Sequence, residues 1–410
     1  MEPEIEPPPQ PAPSAQAANE AIVSSELHAA GHGTPAPEHP EYRGLRWIFI
    51  GDVGLRAGWS VAISVFLYRL FAPVLGTVAV GVFPSLTKLD FSPTTALIGE
   101  LVSLLALLAA VAIVARIDRR TILSYNLAGP RRGLHFIAGA AAGFAALSAL
   151  VGALAWGGWL RFGPTALSGT HILSFALLWG VAFLLVGLFE EGAFRCYLQF
   201  TLTRGINFWW ALGIVAFLCL DLGLRSNGSA GILTFIWLDP LPLLKGNGIW
   251  GVYIMAALGL IPCALLHLRK TPGSSFWQAA WVTSTAFGFI HTGNHGENWI
   301  GIFAAAAIGF VFCVSVWATG SAWWAIGCHA AWDWSETYFY GAADSGNAAT
   351  GHYLTTTPAG PALLSGGADG PEGSVLVIAI VLLMLLAILV LYGRGKRAAL
   401  AAPVAEVTIA

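Results

Sequence analysis

Ten stretches of this chain are apolar enough to cross a lipid bilayer as helices: 59–82, 94–115, 134–157, 171–190, 207–223, 249–267, 275–291, 299–318, 322–340 and 374–392. A helix needs about 20 such residues to span the hydrocarbon core. Only helices and closed barrels satisfy their own backbone there. Apolar runs of this length predict an all-α fold, a polytopic transmembrane helix bundle of about 10 spans. Composition agrees, because only 10% of the 410 residues are charged against about 25% in soluble domains. The 17 Trp suit a chain with many membrane–water boundaries.

The basic residues fix a direction. With the N-terminus inside and ten spans threaded, Arg43, Arg46, Arg56, Arg116, Arg119, Arg120, Arg131, Arg132, Arg195, Arg204, Arg269, Lys270, Arg394, Lys396 and Arg397 fall on the cytoplasmic side. Lys88, Arg161, Arg225 and Lys245 fall outside, and Arg69 lies within the first span. Fifteen against four is a clear positive-inside bias. The chain is therefore expected in the cell (plasma or inner) membrane, multi-pass, with both termini cytoplasmic.

The first 45 residues are rich in Pro, Ala and Glu and lack an apolar core. They read as a disordered tail and not as a signal peptide. No basic block suggests nucleic acid as a partner. Cys196, Cys219, Cys263, Cys313 and Cys328 form no CxxC pair, so buried free thiols are expected.

Charge is scarce, yet "LFEEGAFR" places Glu190, Glu191 and Arg195 at the end of an apolar run. A carboxylate at membrane depth costs about 2.5–3.5 kcal/mol on insertion scales, so it is usually paired or functional. Glu191 and Arg195 are four apart and can pair on one helix face. Glu190 lies about 100° round the helix and is expected to face a polar cavity. Solvated glutamates at a cytoplasmic helix end are the plainer alternative. The fourth span is expected to continue through "GAFRCYLQF".

Two later spans carry histidines. His291 follows Phe287 by four residues, and His329 precedes Asp333 by four. Each pair shares a helix face, and a carboxylate that orients an imidazole is a recurring arrangement. Glu and His from three helices make a hydrolytic site, with Glu as general base and His as metal ligand or polariser of water. His295 and Glu297 follow in "HTGNHGENW", whose Gly and Asn residues favour a loop. Asp221 is read as a helix end, and Arg69 as snorkelling or paired with Glu100.

The ordered set EExxxR, FxxxH and Hxxx(N/D) resembles the CPBP intramembrane proteases, which include the CAAX prenyl endopeptidases of Rce1 type and bacterial bacteriocin-processing or abortive-infection relatives. Here the motifs are Glu190, Glu191 and Arg195; Phe287 and His291; His329 and Asp333. The likeness covers roughly 170–345. It implies a membrane-embedded hydrolase that cleaves peptide bonds near the cytoplasmic face. Glu190 would activate water with help from His291, and His329 with Asp333 would stabilise the oxyanion or ligate metal. Both a metal-free reaction and a zinc site of Glu190, His291 and His329 are open.

Two departures stand out. Asp333 replaces the Asn of many members, and an ionised Asp cannot donate to an oxyanion. About a hundred residues separate the first motif from the second, read as an inserted loop plus about two spans. His291 also falls near the outer end of its span, while the glutamates lie nearer the inner side.

The expected organisation is a tail (1–45), N-terminal helices (46–169), and a CPBP-like core (170–345) with an insertion around 218–272. An extracytoplasmic loop (346–373) and a final span with a cytoplasmic tail (374–410) follow. The substrate would be a peptide or a membrane-anchored protein, prenylated or not. A proton-coupled transporter would use similar intramembrane acids and histidines, and "GAAAGF" would pack its helices closely. No inverted repeat supports a carrier. A non-catalytic membrane scaffold is the remaining alternative.

Overall fold

The computed structural model describes residues 46–51, 54–87, 91–226, 248–271, 273–294 and 296–393. The N-terminal tail, the C-terminal tail, the middle of the insertion and His295 lie outside the described residues.

Each apolar run forms a helix: α1 Ala57–Val82, α2 Pro93–Ile117, α3 Arg132–Trp156, α4 Thr170–Glu191, α5 Phe208–Ser226, α6 Gly248–Leu268, α7 Ser274–Ile290, α8 Trp299–Thr319, α9 Trp323–Asp333 and α10 Leu376–Leu391. The fold is thus all-α, apart from two short antiparallel pairings in the connections. Among the described residues, six helical segments are long and apolar enough to cross a membrane by themselves, and two further apolar helices are shorter. The two that meet neither description, α7 and α9, carry the histidine motifs. Their polar positions, including Gln278, Thr283 and Asp333, are buried against protein, so these helices need not be greasy all round.

The described connections sort onto two faces. On the first, which carries residues 46–56, the Arg204 guanidinium donates to Asp118 at 2.9 Å, and Leu55 N–H donates to the same carboxylate at 3.0 Å. Asn126 joins this face by donating to the Arg195 carbonyl, 2.7 Å. The opposite face gathers the described connections that follow α3, α7 and α9. There Leu160–Phe162 pairs with Thr356–Pro358. Thr350 N–H donates to the Phe91 carbonyl at 3.0 Å, and Asn298 N–H to the Asp369 carboxylate at 3.1 Å. Exposed Trp59, Trp209 and Trp210 stand at helix ends near the first face, and Trp156 (94% exposed), Trp250 and Trp299 near the second. Indoles at both ends of an apolar band mark two interfaces.

Three sequence expectations need correction. Asp221 does not end a helix; it is fully buried inside α5. Arg69 and Glu100 form no ion pair, because Glu100 faces a cavity shared with Glu190. Arg195 is no surface charge of the first face, since it is wholly buried. The basic bias survives without it. The five cysteines are free, as expected.

Candidate active site

The helix carrying the first motif does not stop at the glutamates. It passes from α4 into a π-helical stretch, Gly192–Leu198, and a last turn, Gln199–Thr203, so the continuous helix is Thr170–Thr203. This removes the depth conflict: the glutamates stand inside the helix, level with the end of α7 where His291 sits. The third motif repeats the pattern, with Trp334–Tyr340 π-helical directly after Asp333. Such π segments recur at functional sites because they re-aim side chains without ending a helix.

Glu191 and Arg195 pair as expected, Nη1 to Oε1 at 3.0 Å, both 0% exposed. The guanidinium lies over the Phe287 ring, 4.2 Å from its centroid, and 5.2 Å from that of Phe312. Room for it depends on Gly309 of α8, where an added Cβ would stand 2.5 Å from Arg195 Nη2. Phe287 also touches the ring of His291, with centroids 4.8 Å apart.

His329 is held chiefly by Glu191, a partnership not foreseen from spacing. Its Nδ1 lies 2.8 Å from Glu191 Oε1, while Nε2 is 3.5 Å from Asp333 Oδ2 and 3.8 Å from Glu190 Oε2. A carboxylate already paired with Arg195 accepts, so Nδ1 carries a proton. Glu191 therefore clamps the third motif as well as its own helix. Glu190 makes no such short contact and is 24% exposed, facing the cavity as expected. His291 Nδ1 donates to the Phe287 carbonyl at 2.8 Å, which leaves Nε2 as the ring's acceptor.

The clamp requires α9 to lie almost backbone to backbone on α3. An added Cβ at Gly139 would stand 2.0 Å from the Trp324 carbonyl oxygen, and one at Gly143 2.2 Å from that of Cys328. These are the glycines of "GAAAGF", and any side chain there would push His329 away from Glu191.

Glu190, His291, His329 and Asp333 line one cavity of about 280 Å³. Its walls are apolar at Phe183, Val186, Ile308 and Val381, and polar at Glu100, Asn294, Asp344 and Glu372. Glu191 and Arg195 lie behind the wall. Glu100 and the two loop acids were missed from sequence. Glu100 had a visible signal, a lone carboxylate in a long apolar run, whereas nothing local linked Asp344 or Glu372 to the site.

Residues 249–335 match the model of one family, described as type II CAAX prenyl endopeptidase Rce1-like. This segment is therefore similar to that family. It contains the second and third motifs, and the fold brings the first motif to it from outside the matched residues. The Rce1-like match and the apolar helices support a protease in a membrane, acting on peptide or protein. No curated protein and no solved structure matches the chain.

A zinc ion would draw its N and O ligands to about 2.0–2.2 Å, and so to within about 4.4 Å of one another. Glu190, His291 and His329 are not so gathered. Among the described residues, the one set of three ligand atoms lying within 4.8 Å of one another is Glu336, Asp344 and Glu372. As they stand, these three side chains are not spaced to close on one zinc ion.

Proposed function

We propose that the protein is an intramembrane endopeptidase in which Glu190 activates a water for attack on a peptide carbonyl. The observation that carries this reading is the convergence of Glu190, His291 and His329, from three helices, on one cavity. Glu190 is the group with a free carboxylate, open to a water and to a substrate carbonyl. His291 Nε2 accepts a hydrogen bond from that water and orients it. Glu190 takes the water's proton as the C–O bond forms and returns it to the amide nitrogen as the C–N bond breaks. His329, clamped through Nδ1, presents Nε2 to the developing oxyanion, and a proton there also relieves the facing carboxylates of Asp333 and Glu190. Asp333 has no proton to give when ionised, so its part is to hold the ring's second nitrogen.

The cavity is lined from the face opposite the chain ends, by Phe91, Asn294, Asp344, Asn347 and Glu372. With basic residues concentrated at the other face, we infer that both termini are cytoplasmic and that substrate enters from the extracytoplasmic side. This departs from the cytoplasmic cleavage that the family likeness implies. Apolar walls suit a hydrophobic residue or lipid-modified end of a membrane-anchored peptide.

The test is proteolysis by full-length protein in liposomes of known orientation, with prenylated and unprenylated peptides offered on either side. Glu190→Gln is expected to lower the rate about 10²- to 10⁴-fold, and His291→Ala to lower it too. A wild-type rate in Glu190→Gln would sink the proposal. A zinc-selective chelator should leave the rate unchanged.

A further inference from the structure

Beside the catalytic cavity, and partly in its wall, the structure gathers carboxylates without cations. Glu297, Asp333, Glu336, Asp344, Asp369 and Glu372 come from helix ends and connections on the same face. Among the described residues no Lys or Arg pairs with any of them, and His329 reaches only Asp333. Three of these stand apart. One ligand oxygen from each of Glu336, Asp344 and Glu372 lies within 4.8 Å of the others.

Proximity of acids alone does not make a site, but Glu336 adds an independent sign. Its side chain is fully buried, and its Oε1 has no hydrogen-bond partner among the described residues. A buried, unpaired carboxylate oxygen is costly unless a cation or proton meets it. Four of the other oxygens accept hydrogen bonds, as the oxygens of metal ligands do. Trp332 Nε1 donates to Glu336 Oε2 at 3.0 Å and to Glu372 Oε1 at 2.6 Å. Ser345 Oγ donates to Glu372 Oε2, and Thr337 Oγ1 to Asp344 Oδ2, each at 2.9 Å. Such outer partners orient ligands toward a metal.

We propose that Glu336, Asp344 and Glu372 bind a hard divalent cation, calcium in preference to magnesium. All donors are oxygen, which excludes a preference for zinc or copper. Calcium takes carboxylate oxygens at about 2.3–2.6 Å in flexible geometry, which suits three acids drawn from a helix end and a connection, whereas magnesium demands a near-ideal octahedron at about 2.0–2.1 Å and keeps most of its water. The ion ties the end of the third-motif helix to the two ends of the connection that leads from it to α10, at Asp344 and Glu372. Asp344 and Glu372 belong to the cavity wall, so calcium would hold that wall in place and neutralise charge beside Asp333.

The test uses full-length protein in detergent, stripped with chelator and desalted. Thermal unfolding is followed against added Ca²⁺ and Mg²⁺, and Tb³⁺ emission is excited through tryptophan, since Trp332 touches two ligands. The expected result is one Ca²⁺ per chain at about 10⁻⁴–10⁻³ M, the range of extracytoplasmic sites. Tm should rise with Ca²⁺, and Ca²⁺ should quench Tb³⁺ emission. Asp344→Asn and Glu336→Gln should each weaken binding about 100-fold, and Trp332→Phe about 10-fold. Glu190→Gln should bind as wild type does, which separates this site from the catalytic one. Absence of any Ca²⁺-dependent shift in the wild-type protein, or unchanged affinity in Asp344→Asn, overturns the proposal. So does a response to Mg²⁺ equal to that with Ca²⁺.

Discussion

Arg195→Met tests the clamp at its centre. The substitution keeps most of the side-chain volume but removes the guanidinium paired with Glu191, leaving that carboxylate only the His329 ring. Both partners are fully buried at a 3.0 Å contact, so Glu191 cannot exchange Arg195 for water. Breaking a buried pair from one side costs about 3–5 kcal/mol, and insertion scales put a lone carboxylate at depth at about 2.5–3.5 kcal/mol. Loss of the guanidinium from the Phe287 face at 4.2 Å adds up to about 2 kcal/mol, part of which Met recovers by contact with the same ring. A net loss of about 4 kcal/mol is expected. The double variant Glu191→Gln, Arg195→Met removes both charges and should recover at least about 1 kcal/mol of it. It should not recover proteolysis, because an amide holds His329 more weakly than a carboxylate does. Reversible denaturation in mixed micelles measures the stability, and peptide cleavage the activity. A loss below about 1 kcal/mol in Arg195→Met would refute the buried clamp, as would full activity in the double variant.

Gly143→Val should separate α9 from α3, since even its Cβ would stand 2.2 Å from the Cys328 carbonyl oxygen; overpacking of about 1–3 kcal/mol and a lower kcat are expected, read by thermal unfolding and proteolysis. Gly309→Ala meets only the end of a side chain, Arg195 Nη2, so activity should fall more than stability, and equal losses in both would count against the assignment. Burial, with added charge from Glu372 and Asp344 and opposed by the Asn298 N–H, raises the Asp369 carboxyl from the usual range to about 8. Its stabilising contribution is therefore complete below about pH 4 and is lost as pH rises through about 8, at up to about 1.4 kcal/mol per pH unit. Unfolding of chelator-treated protein between pH 5 and 9 (about the range in which the group titrates) should show this slope, and Asp369→Asn should flatten it.

The ten helices were legible because membrane spans announce themselves: about 20 consecutive apolar residues have few other uses. Their alternating direction was legible too, since charge bias and span parity are both linear properties of the chain. Glu191 with Arg195 could be paired for the same reason, being four apart on one helix. What linear order could not reveal was partnership across helices. That Glu191 also holds His329 depends on how closely α4, α3 and α9 pack, which glycine backbones decide at the level of a few tenths of an ångström. The π-helical turns after Glu191 and Asp333 leave no mark in the local pattern. Glu336, Asp344 and Glu372 are brought together only when a helix end and two connections fold onto one face. Sequence determined which segments enter the membrane and which residues are too costly there to be idle. Tertiary structure decided which of them meet, because contact distances are set by side chains from helices far apart along the chain.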